Sequence, residues 1–168
     1  MSVGGTQPAG GTTPFGGLDT ATDLKTVLAA ELKANASLAA IVGARIYPLS
    51  VPENKPKPRP TLVYAVASNS RVRNLSGFAG IATARVLFDA RSPLYSDCEA
   101  IKEVLRQYDG FRGWMGDVSI LSTRFDDEAD EFEWPGAPSG GTPGTHHLTV
   151  TMFFKYRESI PSHPDQES

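Results

Sequence analysis

The sequence contains a single cysteine, Cys98, among 168 residues. One cysteine forms no disulfide within its own chain, which excludes a disulfide-stabilised fold and fits a reducing compartment. No stretch approaches the ~20 apolar residues that a membrane-spanning helix requires, and residues 1–18 lack the basic start and apolar run of a signal peptide. We therefore expect a soluble, intracellular protein with no membrane partner.

The chain also has little net charge, −3 from 16 basic and 19 acidic residues. Nucleic-acid-binding surfaces depend on clustered Lys and Arg, so this balance argues against a dominant surface of that kind and leaves only local patches open. The length and an apolar content of 40% suffice for one sizeable core. We expect a flexible extension over 1–22, a single domain over 23–157 and a polar tail over 158–168.

Common catalytic and nucleotide-binding motifs are missing from the sequence: there is no Gly-x-Ser-x-Gly, no Walker A loop and no Rossmann glycine pattern. His146 and His147 are neighbours, and neighbours on a strand point to opposite faces, which favours a strand start over a shared metal ion. Cys98 is either a thiol activated at a helix N-terminus or a small buried side chain, and the second interpretation is favoured. We expect no enzyme activity, no cofactor and no bound metal.

Six carboxylates crowd one segment, which we call the acidic ridge: Asp126, Asp127, Glu128, Asp130, Glu131 and Glu133. The segment lacks the central glycine and terminal glutamate of an EF-hand calcium loop. Acid–base catalysis needs two carboxylates in different environments, whereas crowded ones mainly repel each other. We interpret the ridge as a solvated or interfacial surface.

Hydrophobic periodicity predicts the order α-β-β-α-β-β. The first helix has leucine and valine at helical spacing from Leu24 to Leu32, followed by a short turn that ends at Gly43, and the second helix carries a stripe from Cys98 to Tyr108. Alternation predicts strands near 61–67, 82–89, 118–125 and 148–156. We expect an α+β fold in which two helices pack on one face of a four-stranded, mainly antiparallel sheet.

An extended arm rich in proline is predicted between Pro48 and Pro60. Each proline ring fixes φ and removes a backbone donor, which favours a polyproline-like path. Basic residues occur in this arm and in the loop after the first strand: Lys55, Lys57, Arg59, Arg71 and Arg73. Contact with phosphates, contact with acidic protein, and simple solvation all remain open for them.

Four segments, taken in order, carry a family resemblance: the Ala-rich first helix, residues 41–48 (IVGARIYP), the proline-rich approach to 61–64 (TLVY), and 85–90 (RVLFDA) before a helix. Together they resemble the tail-completion, or tail-terminator, proteins of long-tailed bacteriophages and related gene-transfer particles. The resemblance extends over about 23–157. The Gly/Thr-rich extension before Leu18 and the insertion over 134–145 depart from it.

The resemblance implies a non-enzymatic virion protein that forms a ring, usually of six subunits, at the head-proximal end of the tail. This ring stops tail-tube growth and joins the tail to the head connector. The implied partners are further copies of the chain, the tail-tube protein and the head connector or stopper protein, with DNA passing through the lumen without sequence-specific binding. The implied location is the neck of the virion, and the host cytoplasm during assembly.

Under this interpretation the basic residues of the arm and loop meet acidic surfaces on an adjacent subunit or connector, and the acidic ridge is one candidate. The ridge would instead line the lumen if repulsion keeps DNA from sticking there. Two other functions stay open. One is a head-side completion or stopper protein of the neck, and the other is a small-molecule-binding or enzymatic α+β domain.

Overall fold

The structure is a computed structural model that describes residues 23–53, 59–134 and 144–159. Its helices are α1 (Leu24–Ala34), α2 (Ala36–Val42) and α3 (Tyr95–Arg106). Its strands are β1 (Ile46–Pro48), β2 (Thr61–Asn74), β3 (Gly77–Ser92), β4 (Gly113–Met115), β5 (Val118–Glu133) and β6 (Thr145–Arg157).

The strands form one six-stranded sheet in the order β1-β2-β3-β6-β5-β4. The short strand β1 runs parallel to β2, and every other neighbouring pair is antiparallel. The sheet is therefore mixed, and it curls into a half-barrel. Four long strands form its centre, and the three-residue strands β1 and β4 lie at its two edges.

The predicted four-stranded, two-helix fold is wrong. The described residues contain six strands and three helices. Strands β1 and β4 have three residues each, too few for alternation to be recognised. Helix α2 was predicted only as a short turn, yet Asn35 caps it, because its side-chain oxygen accepts a hydrogen bond from the Leu38 amide at 3.0 Å.

Strand β5 continues to Glu133, well past the predicted end near Phe125. Its second half has no apolar alternation, so the sequence pattern gave no sign of it. Pairing with β6 all the way to Thr145 holds these polar residues in the ladder. The acidic ridge is consequently part of a strand. Part of the predicted proline-rich arm, residues 54–58, lies outside the described residues.

The core lies between the helices and one face of the sheet. Alternate residues of β3 and β6 point toward the helices, and Phe88 and Phe154 at the centre are each 1% exposed. The stripes of α1 and α3 close the core, with Leu28 and Ile101 fully buried. We call this side of the sheet the helix-covered face and the other side the helix-free face, since none of the three described helices packs on it.

Candidate assembly surfaces

The carboxylates of the acidic ridge lie on both faces of the sheet. A β-bulge immediately before Asp127 separates the ridge from the apolar half of β5, and directly paired residues share a face. Glu128 and Asp130 pair with buried residues of β6 and lie on the helix-covered face. Asp127, Glu131 and Glu133 lie on the helix-free face. The ridge is not one continuous surface.

The two carboxylates on the helix-covered face bind α3. The Lys102 ammonium lies 3.4 Å from Glu128 and 2.7 Å from Glu99, and these hydrogen bonds, that to Glu99 first, raise the pKa of Lys102. The Tyr95 hydroxyl donates to Asp130 at 3.0 Å. Hydrogen bonds to Glu99 and then Asp130 raise the pKa of Tyr95. These contacts stabilise the packing of α3 on the sheet.

Glu133, on the other face, belongs to a charged cluster around His147. The His147 Nε2 atom lies 3.0 Å from Glu133, and its Nδ1 atom lies 3.3 Å from Asp89. Asp89 also accepts a hydrogen bond from Arg91 Nε at 2.6 Å. A groove of about 210 Å³ beside Thr61 is lined by Arg91, Glu133 and His147. Through its two ring nitrogens, His147 on β6 thus contacts carboxylates on β3 and β5 and links the three strands at this end of the sheet.

The two histidines point to opposite faces, which confirms the alternation predicted for them. The His146 ring packs on the helix-covered side, with ring centroids 4.7 Å from Phe132 and 5.5 Å from Tyr95. The partnership of His147 with Asp89 was not foreseen, because 58 residues of sequence separate them. Only the pairing of β3 with β6 brings them together.

All six ridge carboxylates are exposed, but three of them contact neither α3 nor His147. Asp126 forms an ion pair with Arg124 at 3.1 Å, and the Asp127 side chain accepts from the Glu128 amide at 2.9 Å. Glu131 makes no ion pair within the part of the chain that the structure describes. These three are the ridge residues that a partner could bind without disturbing the contacts to α3 or His147.

The basic residues of the interface hypothesis do not form one patch. Lys55 and Lys57 lie outside the described residues. Arg59 precedes β2 and Arg73 lies near its end, so a 14-residue strand of roughly 45 Å separates them. Arg71 donates two hydrogen bonds to Glu158, at 2.7 and 2.8 Å. Arg73 is exposed and forms no ion pair with the described residues.

Both outer long strands have open edges, a feature that sequence reasoning missed. Strand β1 pairs with β2 only over 62–64, so no described strand lies beside Ala65–Asn74. Strand β4 pairs with β5 only over 118–120. Beyond it, the turn at Asp109 and Gly110 forms hydrogen bonds with β5 at Thr123 and Phe125. Residues 126–133 have no described strand on that side. Such rows of unpaired amide and carbonyl groups can pair with another chain.

No protein-family model matches the sequence, and no curated protein matches it. A solved structure nevertheless shares its fold. It is a chain of the "Virion of native gene transfer agent (GTA) particle", with a TM-score of 0.61 and 12% sequence identity. The match covers 80% of this chain and 94% of that chain. At this identity the likeness shows a common fold.

Large apolar side chains are exposed at both ends of the long strands. Leu75 and Val72 project from the β2–β3 hairpin, with relative exposures of 108% and 45%. At the opposite end Trp134 is 77% exposed, although its ring packs edge-on against Phe132 at 4.7 Å. Exposed apolar groups of this kind, when rimmed by charge, are typical of protein–protein contact surfaces.

The described residues show neither an activated thiol nor a metal-binding cluster. Cys98 is fully buried, and burial raises its pKa to about 12, the opposite of what a nucleophile requires. No three His, Cys, Asp or Glu side chains within the described ranges are placed to hold a metal ion. Among the described helices, none has the length and apolar character to cross a membrane.

Proposed function

We propose that this chain is a structural protein of a phage-like virion. The observation that carries the proposal is the fold shared with a chain of the gene transfer agent virion, since the match covers 94% of that chain. Nearly the whole neighbour therefore has a counterpart here. The exposed edges and apolar side chains of the sheet suit a protein that acts through contacts with other subunits.

Within that class we propose the tail-terminator role. The order of segments that resembles the tail-completion family supports it, and copies of the chain, with six as the expected number, would form a ring at the head-proximal end of the tail. One side of the ring would reproduce the contact made by a tail-tube subunit. The other side would lack the surface that accepts a further tube ring and would bind the head connector, while DNA passes through the lumen.

The distribution of charge supports contacts between copies. Arg73 lies near the hairpin end of β2, whereas Asp126 lies on β5, which β3 and β6 separate from β2. The two cannot meet within one chain, so any pairing between them joins different copies. A contact between two different patches repeats from subunit to subunit, and the repeat forms a ring if the rotation closes.

Negative-stain imaging and mass measurement of the purified chain test the proposal, alone and with purified tail tubes. We expect rings that cap one end of each tube and prevent further addition of tube protein. A chain that leaves both tube ends bare and free to grow would contradict the terminator role. Binding to head connectors without binding to tubes would indicate the head-side completion role instead.

A further inference from the structure

Resting on the proposed function, we infer that copies of the chain join by strand addition. The open edge of β2 (Ala65–Asn74) in one copy pairs with the open edge of β5 (residues 126–133) in the next copy. The occupant of each edge is thus a second copy of this chain. The sheet of one subunit continues into the sheet of its neighbour.

The backbone of the β5 edge is oriented for such pairing. The Glu128 amide donates to the Asp127 side chain at 2.9 Å, an acceptor on its own strand, which turns this amide toward the open edge. Along a strand, alternate amides point the same way, and Asp130 therefore presents its amide outward as well. The bond from the Glu128 amide to the Asp127 side chain is local, so a carbonyl group of a neighbouring strand can replace it.

Charge selects which edges pair. Two β5 edges would bring the carboxylates of the ridge against each other, and two β2 edges would bring Arg71 and Arg73 against their own copies. Like charges on directly opposed residues destabilise a strand pair. Pairing β2 with an antiparallel β5 instead sets Arg73 near Asp126, the exposed carboxylate at the start of the open β5 edge. The favoured contact is therefore the one between different edges.

Strand direction also fits. Passing from β2 through β3 and β6 to β5, each step is antiparallel, so β2 and β5 run in opposite directions. A rotation about an axis along the strands preserves those directions. The β5 strand of the next copy then arrives antiparallel to β2, and the alternation continues without a break.

The pairing also fixes an offset between neighbours. Ala65, Leu87, Thr151 and Asp127 form one row across the sheet. From this row the open edge of β2 runs toward the hairpin, and the open edge of β5 runs toward the opposite end. Matching the two edges shifts adjacent copies by about seven residues, roughly 23 Å at ~3.3 Å per residue. A closed ring accommodates such an offset when its strands are tilted, as in β-barrels.

Charge exchange at the edges is the first test, with mass measured at low salt. We expect Arg73→Glu and Asp126→Lys each to weaken assembly at least tenfold, while an equal mixture of the two variants restores it. When the two variants alternate around the ring, each junction contains either both original residues or both substituted residues. Opposite charges therefore meet at every junction. Lys155→Glu is the matched control, since Lys155 is exposed on the interior strand β6, and it should assemble normally. Failure of the mixture to assemble would overturn the pairing.

Hydrogen exchange of the backbone amides is the second test. The alternate amides over 67–74 and 127–133 that point away from β3 and β6 should be protected at least tenfold in assembled protein relative to protein dissociated by salt. Only these outward amides test the inference, since the others already pair within the subunit. Fast exchange in the assembly, protection already present in the dissociated chain, or a monomer under all conditions would each overturn strand addition.

Tube capping is measured in parallel. Rings that cap tubes without edge protection would refute this inference alone, whereas edge-protected rings that fail to cap would refute the terminator role alone.

Discussion

Arg71 and Glu158 are joined by a two-point ion pair across 87 residues of sequence, with Nε–Oε2 and Nη2–Oε1 distances of 2.7 and 2.8 Å. The Glu158 amide also donates to the Gly80 carbonyl at 3.0 Å. The start of the C-terminal tail is thereby attached to the base of the β2–β3 hairpin. Arg71 is thus already bound within its own chain, whereas Arg73 forms no ion pair with any residue that the structure describes.

We expect Glu158→Gln to lower the free energy of unfolding by less than about 1 kcal/mol, because both side chains are partly exposed and exposed ion pairs contribute little. Urea denaturation at low and high salt measures the loss, which should shrink as salt screens the pair. Arg85→Met, which removes an exposed arginine of the same hairpin that forms no ion pair with the described residues, is the control and should change little. A loss above about 2 kcal/mol would contradict this account.

Two neighbouring phenylalanines of β6 should differ sharply in their contribution to stability. Phe154 faces the helices and is 1% exposed, so Phe154→Ala should cost about 3–5 kcal/mol. Phe153 faces the other way, half-buried beneath the Arg124 guanidinium at 4.8 Å from the ring centroid, and Phe153→Ala should cost clearly less. Urea unfolding compares them directly. Equal losses would show that the helix-free face contains a second core.

Lys102 should contribute more to stability than the neighbouring Arg106. Its side chain is 12% exposed and lies between Glu99 and Glu128, whereas that of Arg106 is 58% exposed. We expect Lys102→Met to cost about 1 kcal/mol at low salt and Arg106→Met to cost almost nothing. Thermal denaturation at several salt concentrations measures both. Equal shifts for the two variants would argue against a role for the cluster in holding α3.

The Lys102 cluster should also make stability depend on acid pH. The hydrogen bond from Lys102, followed by that from Tyr95, lowers the pKa of Glu99 from its ordinary value of 4.5. A carboxylate with a lowered pKa contributes stability above the pKa of the unfolded chain, and this contribution is lost as the pH falls through the folded value. Urea midpoints below about pH 4.5 should therefore fall less steeply for Lys102→Met than for the wild-type chain.

Cys98 should make stability depend on alkaline pH. Burial raises the pKa of its thiol from 9.0 to about 12, so its stabilising contribution is complete below about pH 9 and is lost as the pH rises toward about 12. The slope is limited to about 1.4 kcal/mol per pH unit for one proton. Urea unfolding of the wild-type chain and of Cys98→Ala, at pH 8 to about pH 10, should reveal the difference. If the free energy of unfolding changed with pH in the same way for both proteins, the thiol would not be the cause of the pH dependence.

Periodicity located the side chains that face the core because it reports a local property, the direction of each side chain along one helix or strand. The stripe from Leu24 to Leu32 and the alternation from Leu148 to Tyr156 both mark buried residues. The same signal missed β1 and β4, which are too short to show a period, and the polar half of β5. The predicted four-stranded fold was wrong for these reasons.

The sequence by itself determined which residues carry charge, where the apolar stripes lie and that Cys98 has no disulfide partner in the chain. Only the tertiary structure decided that the acidic ridge divides between two faces, that Arg71 binds Glu158 and that β2 and β5 have open edges. Those outcomes depend on strand order and register. Strand order and register both follow from packing between segments that are far apart in the chain. The spacing of residues within one segment carries no information about that packing.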